Sequence, residues 1–421
     1  MAKFYGFVEE VRNLGGIKFI KLHTRDRDYQ ITAHKDRVSL EVFKLIDELT
    51  RQSAIEVEGE LVRNPEAPSG EEIIPKSIRI LQKSATPLPL DPSGKTSAEM
   101  DTRLDWRPLD LRNRKVTAIF KIQSKLVEGM EEWLVTNGFI KVFTPCLIGA
   151  ASEGGAEVFK VPYFEKEAYL RQDPQLHREL AIIGGLEKIY DLGPNWRAEL
   201  SHTPRHLCEH RAMAVEIAFI KDERDTMRVQ EQLVVAGIKK VLKECGYELD
   251  VLGIDIKVPR TPFPELTFPK IYEILEEMGK KIPFGEDYDR ESEKLLWQYV
   301  KEKYKTDWFF VNRFPFAVKP FYVMRVDEEP RWARSVDLLF KGLELSSGGQ
   351  REHRYEKLVE QVKEKGISME SVEWFLRYFK YGAPPMGGFA IGIERLTMQL
   401  LDLKNIKEAT LFPRTPERLL P

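Results

Sequence analysis

At 421 residues the chain exceeds the usual size of one domain, and its 42% hydrophobic and 31% charged content describes a globular protein with a real core. The 65 Lys and Arg against 67 Asp and Glu leave a net charge of -2, so no bulk charge argues for nucleic-acid binding, although a local basic surface stays open. Three cysteines without CxxC spacing, Cys146, Cys208 and Cys245, argue against a disulfide framework or a zinc site. No apolar run approaches bilayer length. The expectation is a cytoplasmic protein.

Residues 1–83 alternate like short strands at Phe4–Val11, Ile17–Leu22, Asp28–Thr32, Ala54–Leu61 and Ile73–Leu81, with one helical stretch at Leu40–Thr50. Five strands and one helix in such a length predict an OB-fold barrel, a frequent single-strand nucleic-acid module. Acidic and basic side chains balance in this segment. Residues 84–102 carry Pro87, Pro89, Pro92 and Gly94 and read as a stiff linker.

A second domain is expected over 103–421. Val116–Asn137 has one apolar stripe and stops at Gly138, and Glu223–Cys245 is a second long helix. Between them lie strand candidates at Phe139–Phe143, Ala168–Arg171, Lys188–Leu192, Asn195–Leu200 and Val215–Ile220. Strands grouped rather than alternating with helices predict the α+β class, an antiparallel sheet flanked by helices. Residues 258–340 read as a mixed insertion with helices at Lys270–Gly279 and Asp289–Lys305. Strands at Val336–Phe340 and Gly342–Leu345 lead to a turn around Gly348-Gly349, then to helices at Arg354–Lys365 and Met369–Phe379.

Several residue groups carry chemistry. Arg197 and Glu199, two apart on a predicted strand, share a face and can address one ligand. Glu344 and Ser347 offer oxygen ligands suited to Mg²⁺ with a nucleotide's phosphates. Arg351, just past the Gly-Gly turn, can fork onto a carboxylate. Ser152-Glu153-Gly-Gly155 reads as a lid loop that brings a carboxylate to a substrate amine. Gly387, Gly388 and Gly392 open a predicted helix at Leu396–Leu403 and would let phosphate approach backbone. Their spacing matches neither the Walker pattern nor GxGxxG.

Three segments appear in the order of motifs 1, 2 and 3 of the class II aminoacyl-tRNA synthetases. They are Gly138-Phe139 with Thr144-Pro145, Trp196-Arg-Ala-Glu199 with Arg205-His206, and Gly388-Phe-Ala-Ile-Gly-Ile-Glu-Arg395. With Thr86–Pro92, Gly348-Gly-Gln-Arg-Glu352 and Leu411-Phe-Pro-Arg414, the chain resembles the aspartyl/asparaginyl branch nearly end to end, and in particular its archaeal aspartyl type. The resemblance implies an anticodon-binding OB-fold, a class II catalytic domain, ATP and Mg²⁺, tRNA and aspartate as partners, a homodimer and no membrane. It also implies ATP contacts at Arg197, Ala198, Glu199, Arg205, His206, Leu207, His210, Glu344, Gly392, Ile393, Glu394 and Arg395, with Arg197, Glu199 and Arg395 catalytic. Glu344 and Ser347 would hold the metal. Glu153, Asp173, Gln175, Arg178, Arg197, Ser347 and Arg351 would receive the amino acid, and Phe19 and Gln30 the anticodon.

The chain departs from that family around the amino acid. The usual Ser-Pro-Gln-Leu-Tyr-Lys is here Asp173-Pro-Gln-Leu-His177-Arg178, and Ile-Asp-x-Glu is Met213-Ala214-Val215-Glu216. A carboxylate is lost at Ala214, and Asp173 is expected to replace it from across the pocket. His210 stands where an aromatic ring stacks on adenine, Ala390 replaces a glycine and Trp196 a phenylalanine. Two alternatives follow: a paralogue that activates another amino acid or amidates aspartate, and a tRNA-binding protein without catalysis.

Overall fold

Residues 1–149, 157–200 and 203–420 are described by the computed structural model, and contacts divide the chain into Met1–Asn113 and Arg114–Pro421. In the first unit, β1 (Ala2–Asn13), β2 (Ile17–His23), β3 (Asp28–His34), β4 (Ala54–Arg63) and β5 (Glu71–Gln82) close a barrel in the order β1-β2-β3-β5-β4. Period-two alternation sends Val8, Ile20, Leu22, Ile31, Ile55, Val57 and Ile73 inward. Phe19, between the inward-facing Lys18 and Ile20, therefore stands on the outer face, opposite Thr32 and two positions along from the Lys21–Gln30 pair.

The helix between β3 and β4 is shorter than its apolar periodicity predicts. It spans Leu40–Leu45 (α1), capped by the Ser39 hydroxyl on Val42 N, and tightens to a 3₁₀ turn at Ile46–Glu48 that seals Ile46 in the barrel. The stretch 84–102, read as a linker, is bonded to the barrel, where Ser84 N donates to Ser53 Oγ at 3.1 Å and Arg51 pairs with Asp91 at 2.7 Å. Helices α2 (Met100–Asp105) and α3 (Arg107–Asp110) join this unit.

The second unit opens with α4 (Arg114–Thr136), then β6 (Ile140–Lys141), β7 (Leu147–Ile148), β8 (Lys160–Tyr163), β9 (Lys166–Leu170), α5 (Gln175–Ile183), β10 (Lys188–Trp196) and β11 (Glu209–Ala218). It continues through α6 (Glu223–Glu244), α7 (Gly246–Leu252), β12 (Glu265–Thr267), α8 (Lys270–Glu277), α9 (Arg290–Tyr304), β13 (Trp308–Asn312), β14 (Ser335–Phe340) and β15 (Leu343–Arg351). Helices α10 (Tyr355–Glu364) and α11 (Met369–Leu376), β16 (Met386–Gly392) and α12 (Ile393–Leu400) complete it. Eight strands form one sheet in the order β12-β13-β14-β15-β16-β11-β10-β6. Its pairings are antiparallel except at the two ends, β12–β13 and β6–β10. The segment read as an insertion thus supplies strands to the main sheet.

Alternation along the central strands decides which residues reach the site. Met213, Val215 and Ile217 of β11, with Phe389 and Ile391 of β16, enter the core that α4 and α6 cover. Ala212, Ala214 and Glu216, with Gly388, Ala390 and Gly392, therefore take the opposite face. Helices α4 and α6 meet at Gly129 and Gly237, where a Cβ on Gly129 would run into the Ala236 carbonyl and Gly237 itself. Each leucine or isoleucine sealed between them contributes ~1.5–3 kcal/mol.

Three expectations change here. Asn195–Leu200 is not a separate strand, because β10 runs unbroken from Lys188 to Trp196 along β11. Ser346–Arg351 is not a turn: β15 pairs on both sides, with β14 and β16, through both glycines. Gly387 and Gly388 do not open a helix but lie inside β16. A Cβ on Gly388 would collide with the Glu216 carboxylate, so this glycine makes room for a buried acid rather than for phosphate.

Candidate active site

The polar face of β10, β11, β15 and β16 floors a cavity of about 500 Å³. One row of paired residues crosses it: Asp191, Ala214, Ala390, Ser347 and Asp337, from β10 to β14. Two bonded groups of side chains line this cavity.

The first is rich in arginine. Strand β10 ends at Trp196, so Arg197 and Glu199 follow the strand rather than sharing its face, yet both border the cavity with Arg197 Nη1 3.5 Å from Glu199 Oε1. Arg197 N is anchored to Cys208 O at 3.0 Å and Ala198 N to Glu157 O at 2.9 Å. Arg205 reaches Glu293 of α9 at 3.5 Å, and Arg395 donates to the Glu344 carbonyl at 3.2 Å. Burial, with the Arg197 and Arg395 charges nearby, holds His210 down at about 4, an uncharged ring at neutral pH. Burial and the Glu344 charge push Glu293 up to about 7.

Oxygen donors gather beside this group. Glu344 and Ser347 border the cavity, and Asp337 stands directly across from Ser347 with its Oδ1 enclosed and without a hydrogen bond among the described residues. Burial drives Asp337 up to about 7, opposed by Lys319 at 3.5 Å and reinforced by Glu344. Two carboxylates and a hydroxyl suit a hard divalent cation, and an acid that resists ionising without a cation fits that use. Asp337 was not singled out from sequence. Its signal was there: an aspartate inside the wholly buried strand Ser-Val-Asp-Leu-Leu-Phe.

The second group is enclosed. Arg351 Nε donates to Glu216 Oε1 at 2.9 Å, and its Nη2 to Gln175 Oε1 at 3.1 Å. Arg178 Nη2 donates to both Asp173 oxygens, at 2.9 and 2.7 Å, and to Gln175 Oε1 at 2.8 Å. Burial alone would raise Asp173, but the charge and hydrogen bonds of Arg178, joined by the Arg351 and Arg171 charges, together outweigh it and hold the carboxyl below its ordinary range. Below them Arg171 bonds the Pro194 carbonyl at 2.7 Å and pairs with Asp191 at 3.4 Å, at the foot of the row.

The cavity therefore brings together Asp173, Gln175, Arg197, Glu199, Arg205, His206, Leu207, His210, Glu344, Ser347, Arg351, Gly392, Glu394 and Arg395. Among the expected residues, Ala198, Ile393 and Arg178 do not border it. Ile393 belongs to the core under α4, and Arg178 stands behind Asp173. Glu394 uses its carboxylate on Arg211 N, at 3.0 and 3.1 Å, and burial raises it to about 6. Glu153 lies outside the described residues. Phe19 and Gln30 belong to the barrel, where Gln30 Nε2 donates to Thr32 Oγ1 and Glu72 Oε2, each at 3.2 Å.

Comparison with known proteins adds an independent line. Residues 99–416 match the family described as tRNA synthetases class II (D, K and N). The chain is 48% identical over 419 residues to the aspartate–tRNA(Asp) ligase of Pyrococcus furiosus, spanning 100% of this chain and 96% of that one. It is 44% identical over 416 residues to the aspartate–tRNA(Asp/Asn) ligase of Methanopyrus kandleri, spanning 99% and 95%. Among solved structures, Pyrococcus horikoshii asparaginyl-tRNA synthetase complexed with asparaginyl-adenylate superposes with a TM-score of 0.93 at 33% identity, covering 100% of this chain and 96% of that chain.

Proposed function

The chain belongs to the class II tRNA synthetases of the D, K and N group, and from that premise we propose how it ligates aspartate to tRNA at the expense of ATP. One observation carries the site assignment: the arginine-rich group and the enclosed Arg351 group line a single cavity, as needed to join a nucleotide to an amino acid.

In the first step an oxygen of the amino acid's α-carboxylate attacks the α-phosphorus of ATP. The bond to the bridging oxygen breaks and pyrophosphate leaves. Arg197 holds the α-phosphate and the attacking carboxylate and offsets the charge that builds between them. Glu199, Arg205 and His206 place the nucleotide, the neutral His210 ring stacks on the base, and Arg395 takes the γ-phosphate. Glu344, Ser347 and Asp337 would hold Mg²⁺, which supplies charge neutralisation to the phosphates when bound. Arg351 receives the substrate's side-chain carboxylate. In the second step the 3′-terminal ribose hydroxyl of tRNA attacks the acyl carbon, and AMP leaves as the mixed anhydride breaks.

The outer barrel face around Phe19 and Gln30 is the anticodon surface in this reading, where a half-buried ring stacks on a base. The apolar groove between α4 and β10, bordered by Phe120, Val127, Tyr190 and Leu192, supports a homodimer. No helix among the described residues is long and apolar enough to cross a membrane, and three free cysteines accord with a reducing cytoplasm. A second reading, a paralogue with another amino-acid substrate, draws on the Asp173–Arg178 pair, which turns the helix α5 arginine away from the cavity.

ATP–pyrophosphate exchange with each of the twenty amino acids tests the proposal. Exchange with aspartate alone is expected. Exchange with a different amino acid favours the paralogue, and none with or without tRNA favours a non-catalytic tRNA binder.

A further inference from the structure

The hydrogen bonds of Gln175 are complete within the protein. Its amide nitrogen donates to Glu179 Oε1 at 3.0 Å and to Glu216 Oε2 at 2.9 Å, and its oxygen accepts from Arg178 and Arg351. A side-chain amide has two donors and two acceptor sites. Gln175 borders the cavity, yet nothing is left with which to bind a substrate. Resting on the aspartate reading above, we propose that Glu179 is a positioning residue for amino-acid selection: it clamps the Gln175 amide, which aims the open edge of Arg351 at the substrate's side-chain carboxylate.

Three features of the geometry carry this. Arg351 directs Nε and Nη2 to Glu216 and Gln175, and among the described residues no bond runs to Nη1, so one edge is left for a ligand. Glu179 lies one turn beyond Gln175 on α5, too far behind it to touch a substrate, and is completely enclosed. Its Oε2 has no hydrogen-bond partner among the described residues.

An enclosed carboxylate with a bare oxygen, sharing a donor with a second carboxylate, is poorly held in its charged form. Burial accordingly pushes Glu179 up to about 8, with Arg351 and Arg178 pulling down and Glu216 pushing up. Other charges on the elements packed around α5 are already paired or exposed. Asp191 of β10 pairs with Arg171, and Arg377 and Lys380 of the turn Arg377–Tyr381 face solvent.

The consequence concerns net charge. With Glu179 neutral, Asp173 and Glu216 balance Arg178 and Arg351, and an incoming carboxylate meets the free edge of Arg351. Ionised Glu179 would add an uncompensated negative charge that opposes a carboxylate side chain in this low-dielectric pocket.

Aspartate-dependent ATP–pyrophosphate exchange between about pH 7 and 9.5 tests this with Glu179→Gln and Glu179→Met. Above about pH 8 the aspartate KM of the unaltered protein should climb relative to Glu179→Gln, approaching about tenfold per unit. Taking that ratio cancels the substrate's own ammonium ionisation. Glu179→Met, which leaves a Gln175 N–H without an acceptor, should raise the aspartate KM about tenfold at neutral pH and leave the ATP KM within about twofold. Glutamine at the same position should rescue it, and methionine alone supplies the flat pH profile if the glutamine variant does not fold. Coinciding pH profiles overturn the inference, as does an ATP KM that rises with the aspartate KM. Exchange with another amino acid in place of aspartate sinks the underlying functional reading instead.

Discussion

Arg178 meets Asp173 through a single nitrogen: Nη2 donates to both carboxylate oxygens, at 2.9 and 2.7 Å, while Nε and Nη1 are enclosed with no hydrogen bond among the described residues and Nε lies 4.0 Å from Glu216 Oε2. Asp173 is thus the closest anion to a buried guanidinium that also bonds Gln175 at 2.8 Å and lies near Glu216, and removing it takes away the two charge-assisted bonds of that cation.

Asp173→Ser should therefore lower unfolding stability by about 3–5 kcal/mol, whereas Asp173→Ser with Arg178→Met, which removes both charges, should return to within about 1 kcal/mol of the starting protein. Urea denaturation midpoints at constant slope decide it. A double variant no more stable than the single would show that the pair is not what Asp173 contributes.

His210 gives a pH signature. Its folded value of about 4 lies below the unfolded 6.5, so the unfolded chain binds more protons between those values. The stability tied to the neutral ring is full above about pH 6.5, falls as the pH drops, and is gone below about 4, on the order of 3 kcal/mol in all. His210→Phe should flatten that acid limb. It should also keep the ATP KM within about threefold, because a ring still stacks on the base, while His210→Ala should raise it about tenfold. Equal acid limbs in denaturation curves would exclude the assignment.

Glu344→Gln exchanges one hard anionic ligand for a neutral one. The Mg²⁺ concentration giving half-maximal exchange should rise about tenfold or more, and saturating Mg²⁺ should restore part of the rate. Chelation should stop exchange by the unaltered protein, and added Mg²⁺ should restore it. An unchanged Mg²⁺ titration in the variant would move the metal elsewhere.

Phe19→Ala should separate the two halves of the reaction. Loss of one stacked base, worth about 1–3 kcal/mol, raises the tRNA KM about fivefold to a hundredfold. Tyrosine there should stay near the starting value, and tRNA-independent exchange should not change. A defect in exchange would instead indicate a folding role for the ring.

Much of this was legible without coordinates. Period-two alternation in residues 2–82 specified a barrel, the apolar stripes of α4 and α6 specified two packed helices, and motif order specified which arginines and carboxylates to join. Those signals are local, or depend on residue type at set spacing, and a linear chain records both. The glycines were misread for the same reason. A Gly-Gly pair in a chain reads as a turn, but Gly348 and Gly349 are strand residues flanked by β14 and β16, and Gly388 is small because Glu216 occupies the space beside it.

What only the tertiary structure decided is how the enclosed charges are shared. Sequence places Arg178, Arg351, Asp173 and Glu216 near one pocket without saying which cation holds which anion. That depends on hydrogen-bond geometry between α5, β11 and β15, elements that meet across up to 176 residues of chain. Once folded, Arg178 is turned to Asp173, Gln175 has every donor and acceptor engaged, and Glu179 is sealed behind it. In an interior that water does not reach, one partner more or less settles whether a group is charged, and no spacing along the chain encodes that.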